Sequence, residues 1–453
     1  IQTMQGEVES AWAKSGQAAG GLWPQIKAGV QSRQIDSDRA EASLGLVPES
    51  RTSGRVSLRQ MIFDDSVIST LRSSRHQAKY SEFQAQAESL DVMHRAGKHY
   101  WAVIQARTMY QIEKQNLKLI QDNLHLARMR HNAGYSGPED ILRWKTKKTR
   151  QQGRLIQAEA DMERSWVALN QAMGVDQNIR WELDDAIGQE RSSLVHQELS
   201  SVLTSGVRAA QVADFAVQVA MANSPELAAL KEVVQAAKIQ AESEQRSLYL
   251  PTIGLALEFE QVFDEDRPDV GFSPTGQPAA FRPIFEGIES ELQDLSDDRD
   301  RQEWSAAVEL SLPLFQGGRR FYQVQESKAE VRTVRSKYLG ARQRIEQQVR
   351  SAVHSLSASL PSISLSRKAR DQAKEHLEII QDKYAQGQVS ILDLLDAQNE
   401  WHVQELRHIV ARSAYARDLL DLQRAMAWME WTKNDEERSR WLNGLRQEIT
   451  GEG

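Results

Sequence analysis

Cysteine is absent from the 453 residues. That removes disulfides and thiol chemistry, and it suits a periplasmic protein. Also missing is any run of about 18 apolar residues, so no transmembrane helix is available. A chain of this kind crosses a membrane, if it does, with β-strands in a closed barrel. Its most apolar stretches, Ile253 to Phe259 and Val308 to Phe315, are short and alternating. Ile1-Gln2-Thr3-Met4 lacks the basic region and apolar core of a signal peptide. The chain is thus either cytosolic or begins downstream of the true N-terminus, and the repeat described below favours the second reading. Neither charge sign dominates: 56 Lys and Arg face 63 Asp and Glu, a net charge of −7. The signs read as interspersed, so no basic patch argues for nucleic acid. Ten histidines are scattered without a His-Glu-x-x-His motif. His94 and His99, five apart, read as surface histidines. No glycine motif cradles a phosphate. No enzyme chemistry, cofactor or metal site is supported.

What is present is a weak internal repeat. Leu22-Trp23-Pro24-Gln25-Ile26 resembles Tyr249-Leu250-Pro251-Thr252-Ile253, and Val56 to Phe63 resembles Val308 to Phe315. Gly134, Asp140 and Leu142 correspond to Gly387, Asp393 and Leu395, and Leu169, Ala172 and Met173 correspond to Leu422, Ala425 and Met426 at the same offset. The first copy covers residues 1–204, with strands at about 22–34 and 55–64 and a helical hairpin at about 66–174. The second covers 205–431, with strands at about 249–263 and 304–316 and a hairpin at about 319–430. Residues 432–453 form a charged tail that no motif places. Each copy reads helix, strand, strand, very long helix, tight turn, long helix. The first helix of the second copy begins near Asn223-Ser224-Pro225-Glu226, so the matching start in the first copy is expected just before Ile1.

From Ser66 to Arg130 there is no proline and one glycine, Gly97. A helix over that segment is about 95 Å long. Its counterpart carries Pro361, where a kink or break is expected. Leu117, Ile120, Leu124 and Ala127 in one copy, and Leu377, Ile380 and Tyr384 in the other, form amphipathic stripes. Helices so long and polar bury little in a monomer and suit a bundle or the wall of a tube. The strands alternate instead. Ile253, Leu255, Leu257 and Phe259 face away from Gly254, Ala256 and Glu258, as a barrel with a wet interior needs, although a soluble sheet with one buried face alternates too. Four strands cannot close a barrel, so a barrel requires three chains to pool their strands. Gln34 to Gly54 and the proline-rich, acidic Asp264 to Gln302 suit extracellular or disordered loops. Trp23 and Trp304, near strand ends, suit an interfacial belt. The fold class is mainly α with a small β part. A soluble coiled-coil scaffold or a periplasmic adaptor is the rival reading, and it has no use for four alternating strands at matched places in two copies.

Four phrases resemble the TolC-like outer-membrane efflux protein family. They are Asn223-Ser224-Pro225-Glu226-Leu227, Leu250-Pro251 before a strand, Leu312-Pro313-Leu314-Phe315-Gln316-Gly317-Gly318-Arg319, and the run from Tyr384 through Gly387, Ser390, Asp393 and Asp396 to Gln398. The resemblance extends to about Trp431. It implies a homotrimer with a twelve-stranded barrel in outer-membrane lipid. It also implies a long periplasmic α-helical tube that docks on an adaptor (membrane fusion) protein and an inner-membrane transporter, with no nucleic acid involved.

Gly134 and Gly387 suit left-handed helix ends. Ser136-Gly137-Pro138-Glu139 and Ser390-Ile391-Leu392-Asp393 fit the capping-box pattern, so each tip reads helix, turn, capped helix. By resemblance, these tips at Gly134, Ser136, Gly387 and Ser390 meet the adaptor. Asp393 and Asp396 match acids lining the family's periplasmic entrance, where a trimer would set them in rings that attract cations and raise carboxylate pKa values. Asp140 is the first-copy counterpart of Asp393, and Arg143 stands where a second acid would be. Tyr384 matches a side chain that helps hold the entrance closed, whereas Val389 replaces a basic residue of that latch. Asp393 reads equally as a cap alone, Asp396 as a solvated acid and Tyr384 as a packing aromatic.

Overall fold

A computed structural model of the chain describes residues 2–42, 47–183, 206–266 and 301–450. Most of the long segment assigned above to a loop between Asp264 and Gln302 lies outside them. The elements run α1 (Gln2–Gly20), β1 (Gln25–Gln34), α2 (Ser37–Ala42), β2 (Ser50–Phe63), α3 (Asp65–Asn132), α4 (Pro138–Met173), α5 (Gly206–Asn223), α6 (Pro225–Arg246), β3 (Thr252–Asp266), β4 (Gln302–Ser311), α7 (Arg319–Ala385), α8 (Ile391–Ala425) and α9 (Asp435–Thr450). The chain forms two compact units. One comprises Ile1–Gln5, Glu82–Lys231 and Ser336–Gly453; the other comprises Gly6–Ser81 and Glu232–Arg335. Each unit takes segments from both sequence repeats.

The second unit holds one antiparallel sheet in the order β1-β2-β3-β4. Its register aligns Ile26 with Leu58, Leu257 and Ala306, and Ala28 with Val56, Phe259 and Trp304. Every second residue therefore falls on one apolar face. That face is open: Ile26, Val30, Trp304, Val308 and Leu310 are each about two-thirds exposed or more. The opposite face is polar, and Arg55 bridges Glu258 and Glu260 there, each at 2.8 Å. β1 and β4 are both edge strands, with unpaired backbone groups along one side. β4 stops at Ser311 instead of continuing to about 316. Pro313 has no N–H to give a ladder, and Leu314 and Phe315 beyond it are almost fully exposed. β2 begins at Ser50, earlier than its alternation suggested, and pairs there with Asp266 of β3.

α3 spans 68 residues and α7 spans 67. Asp64 starts α3 by accepting from the Ser66 backbone N–H at 2.8 Å. α7 runs unbroken through Pro361, so the expected break is absent. The ring removes only one backbone donor, and the hydrogen bonds of the turns on either side keep the helix.

In the first unit, the charged tail proves to be structural. α9 packs on α5 and delivers Trp441 and Leu445 into a core with Phe215, Val353, Leu356, Leu422, Met426 and Trp428. Trp441 stacks on Trp428 with centroids 5.0 Å apart and meets Phe215 edge-on at 5.5 Å. Gly444 permits this approach, since a Cβ there would lie 3.0 Å from the Phe215 ring. His94 is not a free surface histidine: its Nε2 lies 2.6 Å from Asp421, which also pairs with Lys98.

Candidate functional site

Both helical tips lie in the first unit. At the first, Gly134 adopts φ 82°, and Tyr135 N–H donates back to Arg130 O at 2.9 Å. At the second, Gly387 adopts φ 77°, its N–H reaches Tyr384 O at 3.0 Å, and Gln388 N–H reaches Lys383 O at 2.9 Å. These bonds satisfy the last carbonyls of α3 and α7, and the left-handed backbone they need carries little strain only at glycine.

The two caps differ. Ser390 is the N-cap of α8 with a complete capping box: Ser390 N–H and Oγ–H donate to the Asp393 carboxylate at 2.9 and 2.6 Å, and Asp393 N–H donates to Ser390 Oγ at 3.4 Å. The hydroxyl and backbone bonds from Ser390 hold the Asp393 carboxyl below the usual range. Within one chain the shift is therefore opposite to the rise expected for a ring of like charges. Ser136 does not cap α4. Gly137 takes the N-cap position without any side-chain bond, and Pro138 occupies N1. The proline ring fixes the first helical φ, so the chain bends into α4 one residue later than the Ser-x-x-Glu pattern implied. Asp393 and Asp396 are both exposed, one turn apart on α8.

Tyr384 is 1% exposed. It packs among Ile120, Leu124, Ala127, Trp144, Leu394 and Ala397, which tie all four hairpin helices together beside the turns. Burial pushes its phenol up, and the nearby Asp140 carboxylate acts in the same direction. Asp140 and Tyr384, far apart in sequence, are thus brought together. Asp393 remains separately engaged in its own cap. Sequence reading overlooked Arg130. Its guanidinium lies over the Tyr384 ring, 4.5 Å from the centroid, and donates to the Tyr384 and Ala385 carbonyls that end α7. Its position in the last turn of α3, four residues before Gly134, was the available signal.

A buried polar layer lies next to this core. Lys147 Nζ donates to Gln398 Oε1 at 2.9 Å, Gln398 to Asn116 at 3.2 Å, Asn116 to Gln151 at 3.1 Å, and Gln151 to Glu113 O at 2.9 Å. His402 Nε2 lies 3.2 Å from the Glu113 carboxylate. Burial opposes ionisation of Glu113, but the bonds from His402 and Gln151 outweigh it and leave the carboxyl below its ordinary value. Burial, with Arg154 and Arg150 adding repulsion, lowers Lys147 to about 8, while Asp396 partly supports its charge. The charges are not interspersed everywhere. Arg143, Lys145, Lys147, Lys148, Arg150 and Arg154 follow one another on α4 with no acid between Asp140 and Glu159.

One unit is thus built from long paired hairpins, and the other holds an open four-stranded sheet with an exposed apolar face. Residues 1–175 and 216–427 match the outer membrane efflux protein family. Outer membrane efflux protein BepC of Brucella suis is 24% identical over 359 residues, which is 77% of this chain and 67% of that protein. Outer membrane protein TolC of Escherichia coli is 25% identical over 154 residues, covering 34% of this chain and 30% of its own. Among solved structures, the CmeC outer membrane channel of Campylobacter jejuni superposes with a TM-score of 0.70 at 14% identity over 98% of this chain and 86% of its own. The open-state MtrE outer membrane channel of Neisseria gonorrhoeae does so at 0.68 and 16% identity over 94% of this chain and 85% of its own. This chain belongs to the outer membrane efflux protein family. It is an outer-membrane export channel protein with a large periplasmic part, in a family of channels rather than enzymes.

Proposed function

We propose that three copies of this chain close one twelve-stranded barrel in outer-membrane lipid and pool their hairpins into a periplasmic helical tube. The single observation carrying this reading is the sheet. Four strands with two free edges and an uncovered apolar face satisfy neither their backbone groups nor their side chains alone, and sharing edges in a closed barrel against lipid satisfies both. The tips at Gly134, Ser136, Gly387 and Ser390 are the docking points for a periplasmic adaptor, which couples the tube to an inner-membrane transporter. Asp393 and Asp396, exposed one turn apart, form acidic rings at the entrance, and the Arg130, Asp140 and Tyr384 contacts hold the tips shut. Light scattering of the purified protein should give a trimer mass, and planar bilayers should show a low, cation-preferring conductance. The double substitution Asp393→Ala and Asp396→Ala should weaken that preference. Unchanged ion selectivity would remove these residues from the entrance, and a monomer that stays out of lipid would overturn the whole reading.

A further inference from the structure

The shared pore proposed above makes no use of the basic face of α4. Arg143, Lys147, Arg150 and Arg154 recur at three- and four-residue steps and so share one face. All four line a cavity of about 430 Å³ bounded by α3, α4 and α8, a size within the roughly 300–1,000 Å³ of small-molecule sites. Its floor is built: Asn116, Gln151, Gln398 and His402 are each at most 3% exposed. Among the described residues no carboxylate lines it. Arg143, Arg150 and Arg154 form no ion pair among the described residues, and Lys147 spends its ammonium on the Gln398 amide oxygen and the Leu395 carbonyl. Four like charges gathered on one helix face repel one another, and in a chain of net charge −7 composition does not impose that arrangement.

We propose that this cavity binds a small polyvalent oxyanion of the phosphate or polycarboxylate class. The three guanidinium forks suit planar, paired acceptor oxygens, and Lys147 supplies a point charge fixed on the floor. A small anion is favoured over an acidic protein segment because the charges line one wall of an indentation of about 430 Å³ whose floor is buried and polar.

The test uses the full chain in its native oligomeric state in detergent, titrated calorimetrically with pyrophosphate and, separately, with citrate at low chloride. Saturable uptake near one anion per chain is expected for at least one probe. The pair Arg150→Gln and Arg154→Gln should weaken it at least tenfold, whereas Lys145→Gln, which leaves the cavity lining untouched, should not. Circular dichroism on each variant checks that the helices remain. Absence of saturable uptake of both probes at millimolar concentration would overturn the site. Equal weakening by Lys145→Gln would also overturn it, because it would mean diffuse attraction to a basic helix.

Discussion

Replacing Trp441 by Ala should release α9 from the first unit's core. Trp441 is 7% exposed, stacked on Trp428 and edge-on to Phe215, and it sits one turn before the fully buried Leu445. Truncating a buried tryptophan typically costs about 3–5 kcal/mol, and the two ring contacts belong to that loss at about 0.5–1.5 kcal/mol each. α9 packs through Trp441, Leu445 and the half-buried Leu442, and the loss on truncating Trp441 is about 4 kcal/mol. At about 1.4 kcal/mol per tenfold, the open fraction of α9 rises about a thousandfold. Native-state amide exchange followed by mass spectrometry reads this directly, because local opening sets exchange in a docked helix. Peptides from Asp435–Thr450 should lose protection while those of the α3 and α7 tips keep it. Trp431→Ala, at a side chain 49% exposed, should change exchange little. Unaltered protection of α9 in Trp441→Ala would refute the claim that the tail is anchored by its aromatic residues.

Arg130→Ala should uncap the end of α7 and remove the cation from the Tyr384 ring, so single-channel recordings should show more frequent opening; an unchanged closed state would deny Arg130 a part in the latch. Gly387→Ala should destabilise by about 1–2 kcal/mol because its φ of 77° forces Cβ against the backbone. Gly153→Ala, in a helix interior with nothing within 4 Å of the new methyl, should stabilise by up to about 1 kcal/mol, and opposite shifts in the midpoint of thermal unfolding check both. Burial, with Arg370, Arg412 and Arg367 adding repulsion, lowers the His408 pKa to about 4. Its unfolded counterpart, near 6.5, takes up a proton first as the pH falls. Stability therefore drops between pH 6.5 and 4, and His408→Gln should flatten that part of a pH series of denaturant midpoints.

Local spacing was enough to find what depends on local spacing. The three- and four-residue apolar steps of Leu117 to Ala127 specify a helix, and the alternation of Ile253 to Phe259 specifies a strand. The glycines at 134 and 387 mark turns because left-handed backbone is a property of single residues. Ser390 and Asp393 cap one another across three residues, so their pattern and their geometry agree. Ser136 failed the same pattern because Pro138 overrode it within the same local window.

Long-range pairing lay beyond that reach. Nothing in the local sequence links Arg130 to the Tyr384 carbonyl, Glu113 to His402, or Phe215 to Trp441, since each pair is separated by hundreds of residues and chosen by how helices lie side by side. The same holds for the cations of α4: their succession is plain in the sequence, but only packing against α3 and α8 turns them into one wall of a cavity with a buried polar floor. The amino-acid order by itself determined the kinds of element and the turns between them, through interactions within one helical turn or one strand step. Tertiary structure decided which side chains meet, because burial and hydrogen bonding across helices depend on proximity in space that sequence distance does not encode.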